Sequence, residues 1–428
     1  MVVAAKNLII GLGISGRSCA AFLLKKGFSV VAADKNIEKL RLDPQIQSLM
    51  QAGLKCDLDR EDFSLDGFSQ IIVSPGINPN HPIVQKGRRL GIEILGEIEL
   101  AFRHLENRCI GITGSNGKTT TTLLTTHVLN EMGIRARALG NVGASLSGYL
   151  MDPDSEEILV VELSSFQLET LRERCLDVAV ILNITPNHLD RHPSMQAYID
   201  AKLQIQNCLK GPSAKLYVSS QVAFECGKKL KKIEIFDAPI SSVGYTEWRG
   251  VGEQNVKAAH SICALLGVST SDFYQKMKTF QKPPHRIEWV AEINGVTYYN
   301  DSKATNVDAV MHAVNQFEGP IVLVAGGVDK GASYRPWIDC FSNKVKKIVV
   351  FGQAADKIKG ELQESFSLEK VSTLEEALLT AHSVARPKDV VLLSPGCSSY
   401  DQFVNYEARG NEFKRMVLEL GWKEKKLF

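Results

Sequence analysis

Short apolar runs alternate with stretches of helical periodicity along most of this chain. Most of these runs are continuously apolar, as expected for parallel strands that are covered by helices on both faces. The alternation of strand and helix patterns predicts an α/β protein with doubly wound sheets. The strand candidates are NLIIG, FSVVAAD, QIIVSPG, RCIGITG, EEILVVE, DVAVILNIT, PIVLVAGG, KKIVVFG and DVVLLSPG.

The pattern breaks at two places, which indicates about three domains for a chain of 428 residues. The first break follows EILGEIELAF, residues 93–102, directly before a glycine-rich turn. The second lies in QKPPHRIEWV, where Pro283 and Pro284 end a helical pattern and a strand pattern resumes at Ile287. The predicted domains are therefore 1–95, 96–283 and 284–428.

The segment CIGITGSNGKTTTTLL, residues 109–124, has the pattern of a strand, a glycine-rich turn and the start of a helix. It departs from the usual G-x-x-x-x-G-K-[ST] spacing, because Ile112 stands five positions before Gly117. The chemistry is still that of a phosphate loop, since backbone N–H groups and a helix N-terminus would face the phosphates. Lys118 supplies a cation for the β- and γ-phosphates, and the Thr119 hydroxyl can bind Mg²⁺. The residues predicted to hold ATP here are Gly114, Ser115, Asn116, Gly117, Lys118, Thr119 and Thr120.

Three polar residues further along the chain are weaker candidates for the same nucleotide and metal site. Glu162 ends the apolar run ILVVE and is either an Mg²⁺ ligand or a strand-end glutamate in solvent. His188 follows VAVILNIT at the level where α/β sites form, but a lone histidine is more often an ordinary hydrogen-bonding residue. Lys202 lies in the helical pattern YIDAKLQI, and composition alone predicts that it is a solvated surface lysine.

A second glycine-rich loop lies near the N-terminus. GLGISG, residues 11–16, follows a strand candidate, and Asp34 ends the next one. This combination is the dinucleotide-binding fingerprint, and taken alone it favours an NAD-dependent dehydrogenase. Nothing downstream supplies hydride-transfer chemistry. The two loops raise the question of whether the chain holds one nucleotide or two.

Composition narrows the class of protein. Apolar residues make up 44% and charged residues 23%, which is ordinary for a globular protein. A net charge of +2 gives no support for a nucleic-acid partner. No apolar run is long enough for membrane insertion, and the first residues do not form a signal peptide. The nine dispersed cysteines lack a C-x-x-C pair, which indicates reduced thiols in a cytoplasmic protein.

Several motifs together resemble the Mur ligases of bacterial peptidoglycan synthesis. These are GITGSNGKTTT, VVELSSFQLE, NITPNHLDRH and AKLQI, in this order and at similar separations. NDSKATNVDA (300–309) and SPGCSSYDQFVNYEARGNEF (394–413) resemble the members that add D-glutamate. The resemblance covers essentially the whole chain. It implies a Rossmann-like N-terminal domain, a central P-loop ATPase-like domain and a C-terminal α/β Rossmann-like domain.

The resemblance implies an ATP-dependent ligase of peptidoglycan synthesis, and thus a role in cell wall biogenesis, cell shape and cell division. Its substrates would be UDP-N-acetylmuramoyl-L-alanine, D-glutamate and ATP, joined through an acyl phosphate. The first loop would then hold the uridine nucleotide and the second loop ATP. Two Mg²⁺ ions are implied, with Thr119, Glu162 and His188 as ligands and with Lys202 carrying a carbamate. We expect the enzyme to be a monomer.

The resemblance also assigns residues to each substrate. Lys118, Lys202, His188 and Asn141 would carry catalysis. Further ATP contacts would come from Asn255, Arg286, Asp301 and Lys303. The UDP-substrate would contact Ile14, Ser15, Asp34, Lys35, Gly76, Asn141, Ser164, Gln167 and His188. D-glutamate would contact Thr305, Lys330, Ser399 and Tyr406.

Four positions depart from the family pattern. Gln254 and Ala258 stand where this group often has a histidine and a second asparagine near the adenine, although Asn255 is present. Lys35 stands in place of a small hydroxyl residue, and Tyr406 in place of phenylalanine. The rival functions are a folylpolyglutamate synthase, which would lack the uridine-binding domain and DSKATN, and a non-enzymatic nucleotide switch, which would need partner surfaces.

Overall fold

A computed structural model describes residues 6–189, 191–236, 252–341 and 343–425. They divide into two compact units. The first unit holds residues 6–184, 196–236 and 253–280, and the second holds the remaining described residues, most of them from 281 onward. No helix within these ranges is long and apolar enough to cross a membrane.

The first segment of the first unit is a parallel sheet with the strand order β3-β2-β1-β4-β5. Its elements are β1 (Lys6–Ile10), α1 (Ile14–Lys25), β2 (Ser29–Asp34), α2 (Ile37–Leu40), α3 (Pro44–Gln51), β3 (Lys55–Leu58), β4 (Phe68–Val73), α4 (Pro82–Arg89), β5 (Glu93–Gly96) and α5 (Glu97–Phe102). The strand order reverses between β1 and β4. A crevice at the carboxyl ends of these two strands is where such sheets bind ligands.

The second segment of this unit is a parallel sheet with the order β11-β10-β9-β6-β8-β7. Its elements are β6 (Cys109–Thr113), α6 (Lys118–Glu131), β7 (Ala136–Gly140), α7 (Leu146–Tyr149), β8 (Ile158–Glu162), α8 (Ser165–Leu168), β9 (Val178–Ile181), α9 (Met195–Leu203), β10 (Lys215–Val218), α10 (Ser220–Cys226), β11 (Ile233–Ile235), α11 (Glu253–Leu265) and α12 (Thr270–Met277). Here the order reverses at β6, which places a second crevice beside its carboxyl end.

Two buried carboxylates on α5 join these two segments. Glu97 Oε1 accepts hydrogen bonds from the backbone N–H of Ser147 at 2.7 Å and from its hydroxyl. Glu99 Oε2 accepts from the backbone N–H groups of Arg172, at 2.7 Å, and Glu173, at 3.0 Å. Because both carboxylates are buried, these bonds satisfy groups that would be costly to leave unpaired.

The second unit contains a sheet with the order β12-β13-β17-β14-β15-β16. Its elements are β12 (Glu288–Ile293), β13 (Val296–Asn300), α13 (Val307–Asn315), β14 (Ile321–Gly326), α14 (Pro336–Phe341), β15 (Val345–Phe351), α15 (Ala355–Leu362), β16 (Leu368–Lys370), α16 (Leu374–Val384), β17 (Val390–Leu393) and α17 (Tyr406–Lys425). All pairs are parallel except β12 with β13, which form a hairpin. Asn294 and Gly295 turn the hairpin with positive φ, as a type I′ turn requires.

The side chains of β14 show why the sheets are doubly wound. Ile321 and Leu323 pack into one apolar core with Trp337, whereas Val322 packs into a second core with Phe413. Alternate residues of the strand therefore face helices on opposite sides of the sheet. The predicted α/β class is confirmed by three mostly parallel sheets, and every run predicted as a strand is one.

Candidate active site

The phosphate loop lies at the reversal point of the second sheet. It follows β6, which is hydrogen-bonded to β8 on one side and to β9 on the other. Glu162 ends β8, and Asn183 lies two residues beyond β9. Because the carboxyl ends of parallel strands meet at one edge, the loop lies between these two side chains.

The loop turns with two glycines at positive φ, Gly114 at +156° and Gly117 at +84°. A Cβ at Gly117 would collide with the side-chain oxygen of Asn255, so α11 packs directly on the loop. The first intrahelical bond of α6 runs from the Thr121 N–H to the Gly117 carbonyl, at 2.9 Å. The N–H groups of the first turn therefore point out of the helix, where its dipole favours an anion.

Two lysines converge on the same carbonyl of this loop. Lys118 Nζ donates to the carbonyl oxygens of Gly114, at 2.8 Å, and Ser115, at 2.9 Å. Lys202 Nζ also donates to the Gly114 carbonyl, at 2.8 Å, and lies 4.7 Å from the ring centre of Tyr198. The loop thus has a cation on its own helix and a second lysine from α9.

The composition-based prediction of a solvated lysine at 202 is wrong, because this side chain is only 1% exposed. Tyr198 is one helical turn earlier on the same buried face of α9. Burial lowers the pKa of Lys202 well below its ordinary value, and the charge of Lys118 lowers it further, while Glu162 opposes both. These surroundings favour the neutral amine.

Glu162 is buried rather than solvated, with 2% of its surface exposed. Its Oε1 accepts a 2.9 Å bond from Asn141 Nδ2, and the Asn141 backbone N–H donates to the Glu162 carbonyl at 3.0 Å. Its Oε2 has no hydrogen-bond partner among the described residues. A buried carboxylate oxygen without a partner is costly, so its position suits a cation.

The oxygen donors here fit Mg²⁺. Thr119 is buried at the start of α6, and Glu162 supplies the unpartnered oxygen. Within the described ranges no group of three or more His, Cys, Asp and Glu residues could hold a metal ion. Mg²⁺ commonly takes only one or two protein ligands and completes its shell with phosphate and water oxygens.

The other residues predicted for the metal ions and the UDP-substrate have diverse surroundings. His188 belongs to the second unit and has φ of +56°, and its carbonyl accepts from the His192 N–H at 2.9 Å. Ser164 and Gln167 form a capping box at the start of α8. The Ser164 hydroxyl accepts from the Gln167 N–H at 3.2 Å, and Gln167 Oε1 accepts from the Ser164 N–H at 2.9 Å.

The N-terminal glycine loop lies at the reversal point of the first sheet. Gly11 has φ of +87°, and its carbonyl accepts a 2.8 Å bond from the Ser74 hydroxyl at the end of β4. A Cβ at Gly16 would collide with the Gly11 carbonyl oxygen, so α1 packs tightly on the loop. Asp34 accepts from the N–H of Leu12 at 2.8 Å and from that of Asn36 at 2.8 Å. The predicted contacts Ile14, Lys35 and Gly76 are exposed, and Ser15 is half-buried.

In the second unit, predicted residues follow the ends of three neighbouring strands. Asp301 follows β13, Lys330 follows β14 and Ser399 follows β17. Asp301 Oδ2 accepts a 2.7 Å bond from the Ser394 hydroxyl. Burial raises the pKa of Asp301 to about 7, although the Ser394 bond and the charge of Arg286 lower it.

Two lysines of this unit pair with other predicted residues. Lys303 Nζ donates to the Tyr406 hydroxyl at 2.8 Å, and Lys330 Nζ donates to the Thr305 hydroxyl at 3.2 Å. Ser399 is buried in the loop after β17. The residue before it, Ser398, forms a β-bridge with Val328. The residues predicted for ATP and for D-glutamate are therefore in contact at the Lys303–Tyr406 pair.

Known protein families match each of the three segments that form a sheet. Three family models match: a MurD-like N-terminal domain of Mur ligases at residues 5–96, a Mur ligase middle domain at 112–240 and a Mur ligase glutamate ligase domain at 285–397. A relative from Protochlamydia amoebophila, named UDP-N-acetylmuramoylalanine--D-glutamate ligase, is 44% identical over 96% of this chain and 97% of its own. The chain belongs to the Mur ligase family.

Solved structures show the same fold. A MurF ligase from Thermotoga maritima in complex with ADP is 17% identical, with a TM-score of 0.59 over 89% of this chain and 91% of that one. FolC of E. coli, in complex with DHPP and ADP, is 12% identical, with a TM-score of 0.55 over 75% of this chain and 92% of that one. The fold is therefore shared beyond the Mur ligases.

Sequence analysis of this Mur ligase missed Arg409, which is fully buried on α17. Its guanidinium donates to the Ser302 hydroxyl at 2.9 Å, the Ser302 carbonyl at 2.8 Å and the Cys397 carbonyl at 3.1 Å. Burial lowers the pKa of Arg409 to about 10. Arg409 joins the DSKATN loop to the loop after β17, and the arginine within the YEARG motif was the sequence signal for it.

Proposed function

We propose that this Mur ligase joins the alanine carboxylate of UDP-N-acetylmuramoyl-L-alanine to the amine of D-glutamate and converts ATP to ADP and phosphate. The observation that carries the proposal is the unpartnered Glu162 oxygen beside a phosphate loop that two lysines contact. The name of the 44% identical relative supports the choice of substrates. The enzyme would act in the cytoplasm as a monomer.

The reaction requires activation, because a carboxylate is a poor electrophile. The γ-phosphoryl group of ATP passes to the alanine carboxylate and forms an acyl phosphate. The amine of D-glutamate then attacks the acyl carbon, and phosphate leaves from the tetrahedral intermediate. Negative charge accumulates on oxygens in both steps, and we assign its stabilisation to Lys118, whose ammonium group contacts the loop.

Thr119, Glu162 and His188 are the side chains that we propose hold Mg²⁺, as two ions. The bound metal neutralises phosphate charge and orients the transferring group. Asn141 holds Glu162 through its 2.9 Å bond and thereby orients the carboxylate. Arg286, Asp301, Lys303 and Asn255 are the further residues proposed to contact ATP.

Lys202 is proposed to carry a carbamate. CO₂ reacts with a neutral amine, and burial together with the charge of Lys118 favours that form. A carbamate would place an anion near Glu162 where the free lysine has a neutral amine. That anion would support the second metal ion.

The first glycine loop is proposed to hold the uridine nucleotide, with Ile14 and Ser15 at the diphosphate and Asp34 at the uracil end. Lys35, Gly76, Ser164 and Gln167 would complete this substrate site. Ser164 and Gln167 already satisfy each other as a capping box, so they would contact the substrate through their remaining hydrogen-bonding capacity. The domains proposed for these roles are 1–95, 96–283 and 284–428.

D-glutamate is proposed to bind at Thr305, Lys330, Ser399 and Tyr406. Lys330 already points its ammonium group at Thr305, and a carboxylate would receive a stronger, charge-assisted hydrogen bond from it. Tyr406 differs from phenylalanine by a hydroxyl, and Lys303 donates to that hydroxyl.

The test measures phosphate release from Mg-ATP by the purified protein. UDP-N-acetylmuramoyl-L-alanine is present, and D-glutamate, L-glutamate or no amino acid is added. We expect release that requires both the uridine substrate and D-glutamate. Release with a folate and L-glutamate instead would favour the folylpolyglutamate synthase alternative, and no release with any acceptor would refute both.

A further inference from the structure

One side-chain amide connects the phosphate loop to the start of α11. Asn183 Oδ1 accepts from the Asn116 backbone N–H at 2.8 Å, and the Asn183 carbonyl accepts from the Ser115 N–H at 2.9 Å. Asn183 Nδ2 donates to the Asn116 carbonyl at 3.2 Å and to Gln254 Oε1 at 2.8 Å. Asn183 thus holds two consecutive loop residues, and Gln254 holds Asn183.

We infer that Gln254 is a positioning residue for the phosphate loop, acting through Asn183. An amide has one accepting and one donating end, and the Asn116 N–H requires the accepting end of Asn183. The donating end then needs an acceptor, and the Gln254 oxygen lies at hydrogen-bonding distance. Loss of that acceptor leaves a half-buried donor without its shortest bond and frees the amide to rotate away from Asn116.

The next residue of α11 supports the loop from a second direction. Asn255 lies so close to Gly117 that no side chain could be placed there. Gln254 and Asn255 therefore contact the loop at two separate points, one through a hydrogen-bond relay and one by direct packing. The Gln254 oxygen is committed to Asn183, so this side chain acts on the shape of the loop.

The inference rests on the proposed binding of ATP at this loop. The experiment measures ADP affinity by calorimetry for the wild type and for Gln254→Met, which keeps the length of the side chain and removes the acceptor. Loss of one neutral hydrogen bond predicts affinity weaker by about three- to tenfold. In steady-state assays KM for ATP rises by the same factor, while kcat and KM for the uridine substrate stay unchanged.

A double-mutant cycle tests the route through Asn183. Asn183→Ala alone weakens ADP binding more than Gln254→Met does, because it removes both side-chain hydrogen bonds to Asn116. Adding Gln254→Met to Asn183→Ala has no further effect if Gln254 acts only through Asn183. Asn183→Asp provides a second background, since it keeps the acceptor for Asn116 and removes the donor to Gln254. The matched control is Gln221→Met on α10, where the side chain is exposed and pairs with Glu225.

Two outcomes would overturn the inference. Unchanged ADP affinity in Gln254→Met would show that the relay does not position the loop. Additive losses in the double variants would show that Gln254 acts independently of Asn183. If the wild type itself fails to bind ADP, the proposed function fails instead, which separates the two hypotheses.

Discussion

The two glycine loops of the first unit share one architecture and differ in the charges around them. Both follow a buried strand at the reversal point of a parallel sheet, and both lead into a helix. At the N-terminal loop a carboxylate, Asp34, accepts the Leu12 N–H. At the second loop two lysines, Lys118 and Lys202, donate to the Gly114 carbonyl.

This difference indicates that loops of the same shape can suit different ligands. A carboxylate beside the first loop suits hydroxyl and N–H groups of a nucleoside, as in the dinucleotide fingerprint. The Lys118 ammonium group and an unpartnered Glu162 oxygen suit a triphosphate with its metal ion. The following predictions test this division, from the largest expected effect to the smallest.

Replacing Lys118 by methionine should affect only the second loop. The variant loses the cation proposed to stabilise phosphoryl transfer, so kcat for phosphate release should fall roughly a thousandfold. Calorimetric affinity for UDP-N-acetylmuramoyl-L-alanine should not change. Lys215→Met is the control and should retain activity, because Lys215 is a half-buried lysine on β10 that pairs with Glu234. Equal weakening of both nucleotides would contradict the division.

Replacing Lys202 by methionine should lower kcat on the order of a hundredfold, because the proposed carbamate would no longer support the second metal ion. Its buried position makes methionine a tolerable replacement, so thermal unfolding should shift little. Mass spectrometry of the intact wild type under bicarbonate would detect an added CO₂. A fully active variant would rule out a catalytic role for this lysine.

Replacing Glu162 by glutamine should raise the Mg²⁺ concentration needed for half-maximal activity by roughly tenfold. Glutamine keeps the size of the side chain and can still pair with Asn141, but it loses the charge that attracts the metal. The control is Glu156→Gln, an exposed glutamate shortly before β8. An unchanged Mg²⁺ dependence would place the metal elsewhere.

Replacing Asp34 by asparagine should affect only the first loop. Asparagine offers only one, neutral, side-chain oxygen, so one of the two backbone N–H groups loses its acceptor and KM for the uridine substrate should rise about tenfold. KM for ATP should stay the same. Asp66→Asn, where the carboxylate is exposed and bonded to Ser64, serves as the control. A rise in KM for ATP would mean that the loops are not independent.

Replacing Gly16 by alanine should have the smallest effect on the reaction of these five changes. It should instead lower the stability of the folded protein. The added methyl group meets the Gly11 carbonyl, so the free energy of unfolding should fall by about 1–3 kcal/mol. Gly13→Ala is the matched control, because a Cβ there meets nothing within 4 Å. Denaturant unfolding, monitored by circular dichroism, gives the free energy of unfolding of both variants. Equal stability of the two variants would contradict the close packing of α1 on the loop.

The hydrophobic pattern was sufficient for the sheet class, because buried parallel strands are continuously apolar. It was insufficient for short edge strands such as KCDL and EILG, where polar and apolar residues mix over four positions. The β12–β13 hairpin carried an Asn-Gly turn signal at 294–295 that could have identified it. Strand pairing itself depends on contacts far apart in sequence.

The candidate site was predictable where a motif is contiguous, as in the phosphate loop. It was not predictable where function depends on burial. Lys202 has the sequence surroundings of a surface lysine, and only the packing of α9 buries it. Asn183 lies 67 residues from its partner Asn116, and Arg409 lies 107 residues from Ser302. Such pairs leave no local periodicity in the sequence.

The most direct test of the two-nucleotide arrangement is calorimetry on one protein sample with two ligands, UDP-N-acetylmuramoyl-L-alanine and ADP with Mg²⁺. We predict that each binds with a stoichiometry of about one and that saturation with either ligand does not displace the other. Lys118→Met should weaken only ADP, and Asp34→Asn only the uridine substrate. Mutual displacement of the two ligands would show that they share one site and would contradict the account.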